Sequence, residues 1–312
     1  MPASVHERTQ HVTTIINPEL IWRLATATLL VPLTIGVIVA GGWLMAGMLA
    51  GLAAGGAHEF YRLAARRGVY PLVALGCAAS AGFVIVTTVN PTPGKVGLWL
   101  WLMTIGLLFV AAVVTMLTRT VDQQPFATIG VTVAGALWTG GSLVFLVLLR
   151  SLAADLPATI VWSEQMTGAA LALFPVVLVW SSDSLAYLVG RSWGRHRLLP
   201  RVSPGKSWEG AIAGFAATLL VGVVYTLIIF DLWLALPISA FIGGSCGALA
   251  GLFGPLGDLA KSALKREAGV KDAGRIFPGH GGIIDRFDAL FIVVPLVYGV
   301  LRLVLERASP GG

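Results

Sequence analysis

The chain has few charged side chains, because Asp, Glu, Lys and Arg make up only 12% of its 312 residues. Soluble domains carry about 25% of these residues, whereas hydrophobic residues reach 56% in this chain. The composition therefore argues against an ordinary soluble domain. Cysteine is also scarce, since only Cys77 and Cys246 are present and both lie inside apolar runs. This placement indicates buried thiols rather than a disulfide framework or a metal motif.

The polar segment 1–20 lacks the pattern of a cleaved secretory signal. It has charged residues such as Glu7 and Arg8, but no compact apolar segment followed by a small-residue cleavage site. We therefore expect the first apolar run to be retained as a membrane span.

Apolar runs of about 20 residues predict an all-α polytopic membrane protein. Helices are expected because backbone groups in lipid must be satisfied within the segment. We divide the chain into N-terminal transmembrane helices at 21–167, a C-terminal catalytic transmembrane region at 168–305 and a tail at 306–312. The nine predicted spans cover roughly residues 21–40, 43–63, 70–89, 97–117, 127–149, 168–190, 208–230, 233–253 and 289–305.

Basic residues are distributed unevenly between the two sides of the predicted bundle. All Lys and Arg residues except Lys95, Arg150, Arg302 and Arg307 fall on the side that carries the N-terminus and the loops after spans 2, 4, 6 and 8. Such a bias marks the cytoplasmic side. The sequence therefore predicts a multi-pass protein of the cell inner membrane, with the polar loops in the cytoplasm and the C-terminus outside.

A first polar cluster occupies residues 183–210. Asp183 interrupts the end of span 6, and Lys206 comes just before span 7. A helix N-terminus offers backbone N–H groups to phosphate, and Lys206 would add a positive charge there. The sequence Gly-Lys-Ser at 205–207 is not a phosphate-binding loop of the nucleotide-hydrolase type. Pro200 occupies the place of its first glycine, and no preceding strand is expected. A basic loop that contacts anionic lipid headgroups is the open alternative.

A second polar cluster is denser, with ten ionisable side chains and five glycines between Ser262 and Asp288. If helix continues beyond span 8, Asp258, Lys261, Ser262 and Lys265 share one face, because they lie at i, i+3, i+4 and i+7. An acid able to bind a cation would then lie beside cations able to bind phosphate. An ordinary salt-bridged helix face is the alternative.

Span 8 is expected to end at Pro255 and Gly257, and the polar cluster continues into a glycine-rich loop. Glycine allows the backbone to approach a ligand closely. His280 lies between two glycines, and contact with a substrate phosphate or a supporting hydrogen bond are equally open roles for it.

The first 180 residues contain little that suggests chemistry, apart from Glu59 near the end of span 2. An ionisable residue at membrane depth is a functional hypothesis by default. Pairing with Arg62, with Arg66 or with a neighbouring helix is the favoured interpretation.

The two polar clusters suit reactions of phosphate esters. Carboxylates with water and phosphate oxygens are the usual environment of Mg²⁺, and Lys and Arg neutralise charge that develops on a transferring phosphoryl or nucleotidyl group. No Ser-His-Asp, Cys-His or zinc-type spacing is evident. A transporter would carry repeats and broken helices at the bilayer midplane, whereas these charges gather at one face. Residue chemistry alone leaves lipid kinases and other nucleotidyltransferases open.

At these residues the chain resembles the phosphatidate cytidylyltransferase family, also called CDP-diacylglycerol synthases. The family signature S-x-apolar-K-R-x4-K-D-x-small-x2-apolar-[PGS]-x-H-G-G-apolar-x-D-R-apolar-D matches residues 262–288 closely, with Phe277 at its second apolar position. The stretch from Asp183 to Gly210 is similar to the family pattern D-x-x-A-Y-x-x-G-R-x-x-G-K…SPxKTxEG. Arg195 and Ser207 replace the more usual Lys and Thr. The motifs cover about the last 40% of the chain.

The resemblance implies that the protein uses CTP and phosphatidate to make CDP-diacylglycerol and pyrophosphate, without any nucleic-acid partner. It implies Mg²⁺ at Asp258 and Asp285, and it allows a second cation such as K⁺ and a homodimer. Residues expected to hold phosphates during catalysis are Lys206, Lys265, Arg266, Lys271, His280 and Arg286. Further residues expected to bind substrate are Asp183, Ser203, Ser262, Asp272, Gly281, Gly282 and Asp288.

Overall fold

The computed structural model describes residues 18–156, 163–274, 276 and 281–308. Helices account for most of these residues, and π-helical turns at Leu137–Gly141 and Thr226–Trp233 continue α5 into α6 and extend α8. The helices are α1 (Pro18–Ala40), α2 (Gly42–Ala65), α3 (Val73–Val89), α4 (Pro93–Thr118), α5 (Pro125–Ala136), α6 (Ser142–Ser151), α7 (Glu164–Trp193), α8 (Trp208–Tyr225), α9 (Ala240–Glu267) and α10 (Ile284–Ala308).

The protein is membrane-embedded, and among the described residues six helical stretches are long and apolar enough to cross a bilayer. They are Val96–Thr118, Val121–Ala154, Glu164–Trp193, Trp208–Trp233, Ala240–Glu267 and Ile284–Arg307. The all-α class is therefore confirmed, but the prediction of nine spans is not. Helix α3 has 17 residues, or about 26 Å at 1.5 Å per residue, which is shorter than a hydrocarbon core of about 30 Å.

Helix α9 continues for ten residues beyond Gly257, so Pro255 and Gly257 do not end the helix, and the condition for a shared face of Asp258, Lys261 and Lys265 is met. Proline is tolerated inside membrane helices when neighbouring helices support the backbone around it. The glycine serves close packing, because a Cβ at Gly257 would lie 2.6 Å from the carbonyl oxygen of Asp288. The continued helix carries the predicted basic face, and it brings α10 against that face.

A short antiparallel hairpin connects α7 to α8. Its strands are β1 (Arg197–Leu199) and β2 (Ser203–Ser207), with Arg197 opposite Ser207. The expectation that no strand precedes the Gly-Lys-Ser sequence was therefore wrong, and Lys206 itself lies on β2. Ser207 is the N-cap of α8, since its hydroxyl oxygen accepts the N–H of Gly210 at 3.2 Å. Lys206 thus lies immediately before the helix cap rather than inside the first helical turn.

Helix α8 packs between α7 and α9, and α10 packs against α9. The α8–α9 contact is nearly backbone to backbone, because a Cβ at Gly222 or at Gly247 would overlap a carbonyl group of the other helix. Small residues give membrane helices this close approach. The packing places the end of α7, strand β2, the last three turns of α9 and the start of α10 around one polar region.

Candidate active site

The polar region is built around a chain of alternating lysines and aspartates. Lys206 Nζ lies 2.5 Å from Asp258 Oδ2, and Lys261 Nζ lies 2.8 Å from Asp258 Oδ1. Lys261 Nζ also lies 2.8 Å from Asp288 Oδ2. Lys261 is only 7% exposed, so its ammonium group offsets two carboxylates where water gives little screening. These ion pairs connect β2, α9 and α10.

Asp285 forms a second group of contacts beside this chain. Lys265 Nζ lies 2.6 Å from its Oδ1, and the backbone N–H groups of Ala273 and Gly282 donate to its Oδ2 at 2.9 and 3.1 Å. Lys261 Nζ donates to the backbone carbonyl of Asp285 at 3.2 Å. Asp285 therefore ties the loop after α9 to the first turn of α10 and, through Lys265, to α9.

A cavity of about 520 Å³ opens beside Lys206 and Asp258, and we call it the polar cavity because charged side chains are among its lining residues. Asp183 lines this cavity and is exposed to it, and the charged groups near it are Asp258, Lys206, Lys261 and Arg286. The cavity is lined by Ser182, Asp183, Ala186, Tyr187, Gly190, Arg191, Gly194, Arg197, Leu198, Gly205, Lys206, Ser207, Gly210, Ala211, Gly254, Pro255 and Asp258.

An apolar cavity of about 500 Å³ adjoins the polar one and shares Leu198, Ala211 and Pro255 with it. Its other walls include Trp208 on α8 and Leu256 on α9. Charged and apolar spaces that share a wall suit an amphipathic substrate, whose polar head and hydrocarbon tail need different surroundings.

The structure brings the predicted residues Asp183, Lys206, Asp258, Lys265, Asp285 and Asp288 into this region. Gly281 has a φ of +83°, and a Cβ there would lie 2.9 Å from Asp285 Oδ2. Both the backbone conformation and the lack of space for a side chain therefore favour glycine at position 281.

Other predicted residues line neither cavity and take no part in the ion pairs described above. Ser203 and Ser262 are half-buried and line neither of them. Three further predicted residues, Arg266, Lys271 and Asp272, are exposed around the end of α9. His280 lies outside the described residues, so its predicted role stays a prediction.

Lys261, Tyr187 and Arg191 are among the residues in or near the site that were missing from the predicted set. The sequence analysis named Lys261 as part of the helix face but not as a site residue, although its i,i+3 spacing from Asp258 indicated an ion pair. Tyr187 and Arg191 line the polar cavity, and Arg191 donates to the Tyr187 hydroxyl at 2.7 Å. Both belong to the first sequence pattern, which was their only signal.

The donor set suits a hard cation such as Mg²⁺, because it consists of aspartate oxygens. Asp258 is half-exposed and borders the polar cavity. Asp288 Oδ2 is buried and, within the described residues, has no partner with hydrogen-bond geometry despite the nearby Lys261. Asp285 already accepts from Lys265 and two backbone groups. No set of three or more such side chains is preassembled for a metal in the described parts of the chain.

Comparison with known proteins gives the family. A model of the cytidylyltransferase family matches residues 21–304. The chain belongs to this family. A phosphatidate cytidylyltransferase from Synechocystis is 30% identical over 299 residues, which cover 91% of this chain and 97% of that protein. The sequence-based resemblance is thereby confirmed.

Other relatives of the same name match shorter segments. The Bacillus subtilis protein is 35% identical over 195 residues, which cover 62% of this chain and 66% of that protein. The Staphylococcus saprophyticus protein is 44% identical over 128 residues, which cover 40% and 46%. The chain thus aligns with about half the length of the staphylococcal relatives.

Proposed function

We propose that this cytidylyltransferase-family protein is a CTP:phosphatidate cytidylyltransferase, which transfers CMP from CTP to phosphatidate and releases pyrophosphate. The observation that carries the proposal is the polar cavity at Lys206 and Asp258, which shares a wall with an apolar cavity. CTP and the phosphatidate headgroup suit the polar space, and an acyl chain suits the apolar one. The names of the relatives support the same pair of substrates.

In the proposed reaction, a phosphate oxygen of phosphatidate attacks the α-phosphorus of CTP. A new P–O bond forms between lipid and CMP, while the bond from the α-phosphorus to the pyrophosphate oxygen breaks. The nucleophile is already ionised, so no strong protein base is required. Catalysis then depends on positioning and on charge neutralisation.

Among the predicted phosphate-binding residues that the structure describes, Lys206 is the one that lines the polar cavity, where it is part-exposed. Its ion pair with Asp258 holds the ammonium group at the cavity before substrate binds. Lys261 is buried between two aspartates, so its part is to keep them in place. Lys265, Arg266, Lys271, His280 and Arg286 remain the other proposed phosphate-binding residues, with Ser203, Ser262 and Asp272 as proposed substrate contacts.

Mg²⁺ is part of the proposal, with Asp258 and Asp285 as its predicted ligands and K⁺ as a candidate second cation. When bound, Mg²⁺ would neutralise phosphate charge and help the pyrophosphate to leave. Asp258 can release an oxygen to a cation if Lys206 turns towards a substrate phosphate. Asp285 could likewise give an oxygen to a cation only if Lys265 left it for a substrate phosphate.

We also propose that the protein acts in the cell inner membrane, with the site facing the cytoplasm where CTP is available. A homodimer remains part of this proposal.

The choice of lipid acceptor tests the proposal. Purified protein in mixed micelles is given CTP with either phosphatidate or diacylglycerol of the same acyl composition, and the lipid products are identified by mass spectrometry. CDP-diacylglycerol should form when phosphatidate is the lipid supplied with CTP, and not when diacylglycerol is. Phosphatidate formed from diacylglycerol would instead identify a lipid kinase.

A further inference from the structure

Glu59, near the end of α2, is a buried carboxylate that the proposed reaction does not use. It is 2% exposed, and its Oε2 accepts the backbone N–H of Ile284 at 2.9 Å. Ile284 is the first residue of α10. The hydrogen bond therefore connects the N-terminal half of the chain to the helix that carries Asp285 and Asp288. A carboxylate at a helix N-terminus is also favoured by the helix dipole.

The surroundings of Glu59 are shaped to bring its carboxylate against the backbone of the α9–α10 connection. A Cβ at Gly274 or at Gly282 would overlap that carboxylate. On α2 itself, a Cβ at Gly55 would overlap the side chain of Ile283. The close approach of α2 to the α9–α10 connection thus depends on glycines in both elements, Gly55 in α2 and Gly274 and Gly282 in the connection.

Apolar packing supports the same contact. Leu63 on α2 forms a small buried cluster with Ala268, Ala273 and Ile284, and Phe60 packs against it. The end of α2 therefore contacts the connection through both a hydrogen bond and an apolar patch.

The connection held by Glu59 is the one that orients Asp285. Gly282 lies against the Glu59 carboxylate and donates its N–H to Asp285 Oδ2, and Ala273 donates to the same oxygen. We propose that Glu59 is a positioning residue, which fixes the start of α10 so that Asp285 faces Lys265 and Asp288 faces Lys261. This inference rests on the proposed function, and it gives the N-terminal helices a part in the active site.

The test compares Glu59→Gln and Glu59→Ala in the purified full-length protein. Gln keeps the length of the side chain and an acceptor oxygen for Ile284, whereas Ala removes the acceptor. We expect Glu59→Ala to lower kcat about 100-fold, because a displacement of about 1 Å at a reacting group can cost that much. The KM for CTP should change little, and Glu59→Gln should recover much of kcat. Amide hydrogen exchange at residues 281–287 should speed up in Glu59→Ala but not in α7 or α8.

Tyr61→Phe is the matched control on the same helix. Tyr61 is fully buried, and its hydroxyl donates to the carbonyl of Thr132 at 2.7 Å, away from α10. This substitution removes one buried hydrogen bond of α2, so it should lower thermal stability while leaving kcat and exchange at 281–287 close to wild type. If Tyr61→Phe lowers kcat as much as Glu59→Ala, general loosening of α2 is responsible and the proposal fails.

A combination with Asp285→Asn tests the route of the effect. If Glu59 acts largely through Asp285, Glu59→Ala should reduce kcat far less in the Asp285→Asn background than in wild type. Fully multiplicative losses, or equal kcat in Glu59→Ala and wild type, would overturn the proposal. A wild-type protein that makes no CDP-diacylglycerol would overturn the proposed function instead. The exchange measurement would still show whether Glu59 holds the start of α10.

Discussion

Lys206 Nζ lies 2.5 Å from Asp258 Oδ2, so a residue of the β-hairpin before α8 is held by an aspartate in α9. Both residues line the polar cavity. Without substrate, Asp258 keeps the flexible lysine side chain at the cavity and balances its charge. An incoming phosphate can compete for the same ammonium group, because both partners of the pair remain part-exposed.

Substitution of Lys206 should show whether this ammonium group binds phosphate. We expect Lys206→Ala to lose about 100-fold or more in kcat/KM, since loss of a single transition-state donor has effects of that size. Lys206→Arg should keep part of the activity, because it retains the charge in a different shape. Arg201→Ala is the control, since Arg201 is an exposed cation of the same hairpin that lines neither cavity. Equal activity of Lys206→Ala and wild type would leave the hairpin as a lipid-contacting loop.

Asp258 and Asp285 should act together if they bind one cation. Asn keeps the shape of each side chain but removes its charge, so Asp258→Asn and Asp285→Asn should each abolish most turnover and raise the Mg²⁺ concentration needed for half-maximal rate. The double substitution should be little worse than either single one, because groups that act as a unit are strongly non-additive. Kinetics at limiting Mg²⁺ measure both effects. Losses that multiply would assign the two aspartates separate roles.

Lys261 should be needed for folding stability as well as for activity. Lys261→Met would leave Asp258 and Asp288 near each other without the cation between them, and breaking a buried ion pair costs about 3–5 kcal/mol. We expect a clear drop in the thermal unfolding temperature of the purified protein. Adding Asp288→Asn should restore part of it by removing one uncompensated charge. No recovery in the double variant would contradict this electrostatic explanation.

The sequence was informative where the chemistry is local along the chain. Periodicity predicted that Asp258, Lys261 and Lys265 lie on one helix face, and all three lie in the continuous helix α9. The sequence left open whether the helix continues past Pro255 and Gly257, which resemble a stop signal, and contact with α10 lets it continue. The sequence favoured pairing of Glu59 with a nearby arginine or with a neighbouring helix, and the hydrogen bond from Ile284 of α10 agrees with the second alternative, although no signal named that residue. It joins residues far apart in the chain, and only the tertiary packing brings them together.

The predicted orientation can be checked with an impermeant thiol reagent. In a background without Cys77 and Cys246, Arg201→Cys and Glu267→Cys should react only after the inner membrane is permeabilised. Glu306→Cys, near the other end of α10, should react in intact cells. All three positions are exposed. Labelling of Arg201→Cys or Glu267→Cys in intact cells would contradict both the cytoplasmic orientation and the entry of CTP from that side.

The most direct test of the central claim follows the two ends of the CTP triphosphate. Purified protein with phosphatidate and Mg²⁺ is given CTP that carries radioactive phosphorus at either the α or the γ position, and the lipid product is extracted. Cytidylyl transfer predicts that the α label enters the lipid and that the γ label leaves as pyrophosphate. Label from the γ position in the lipid, or no labelled lipid from either CTP, would contradict the proposed function.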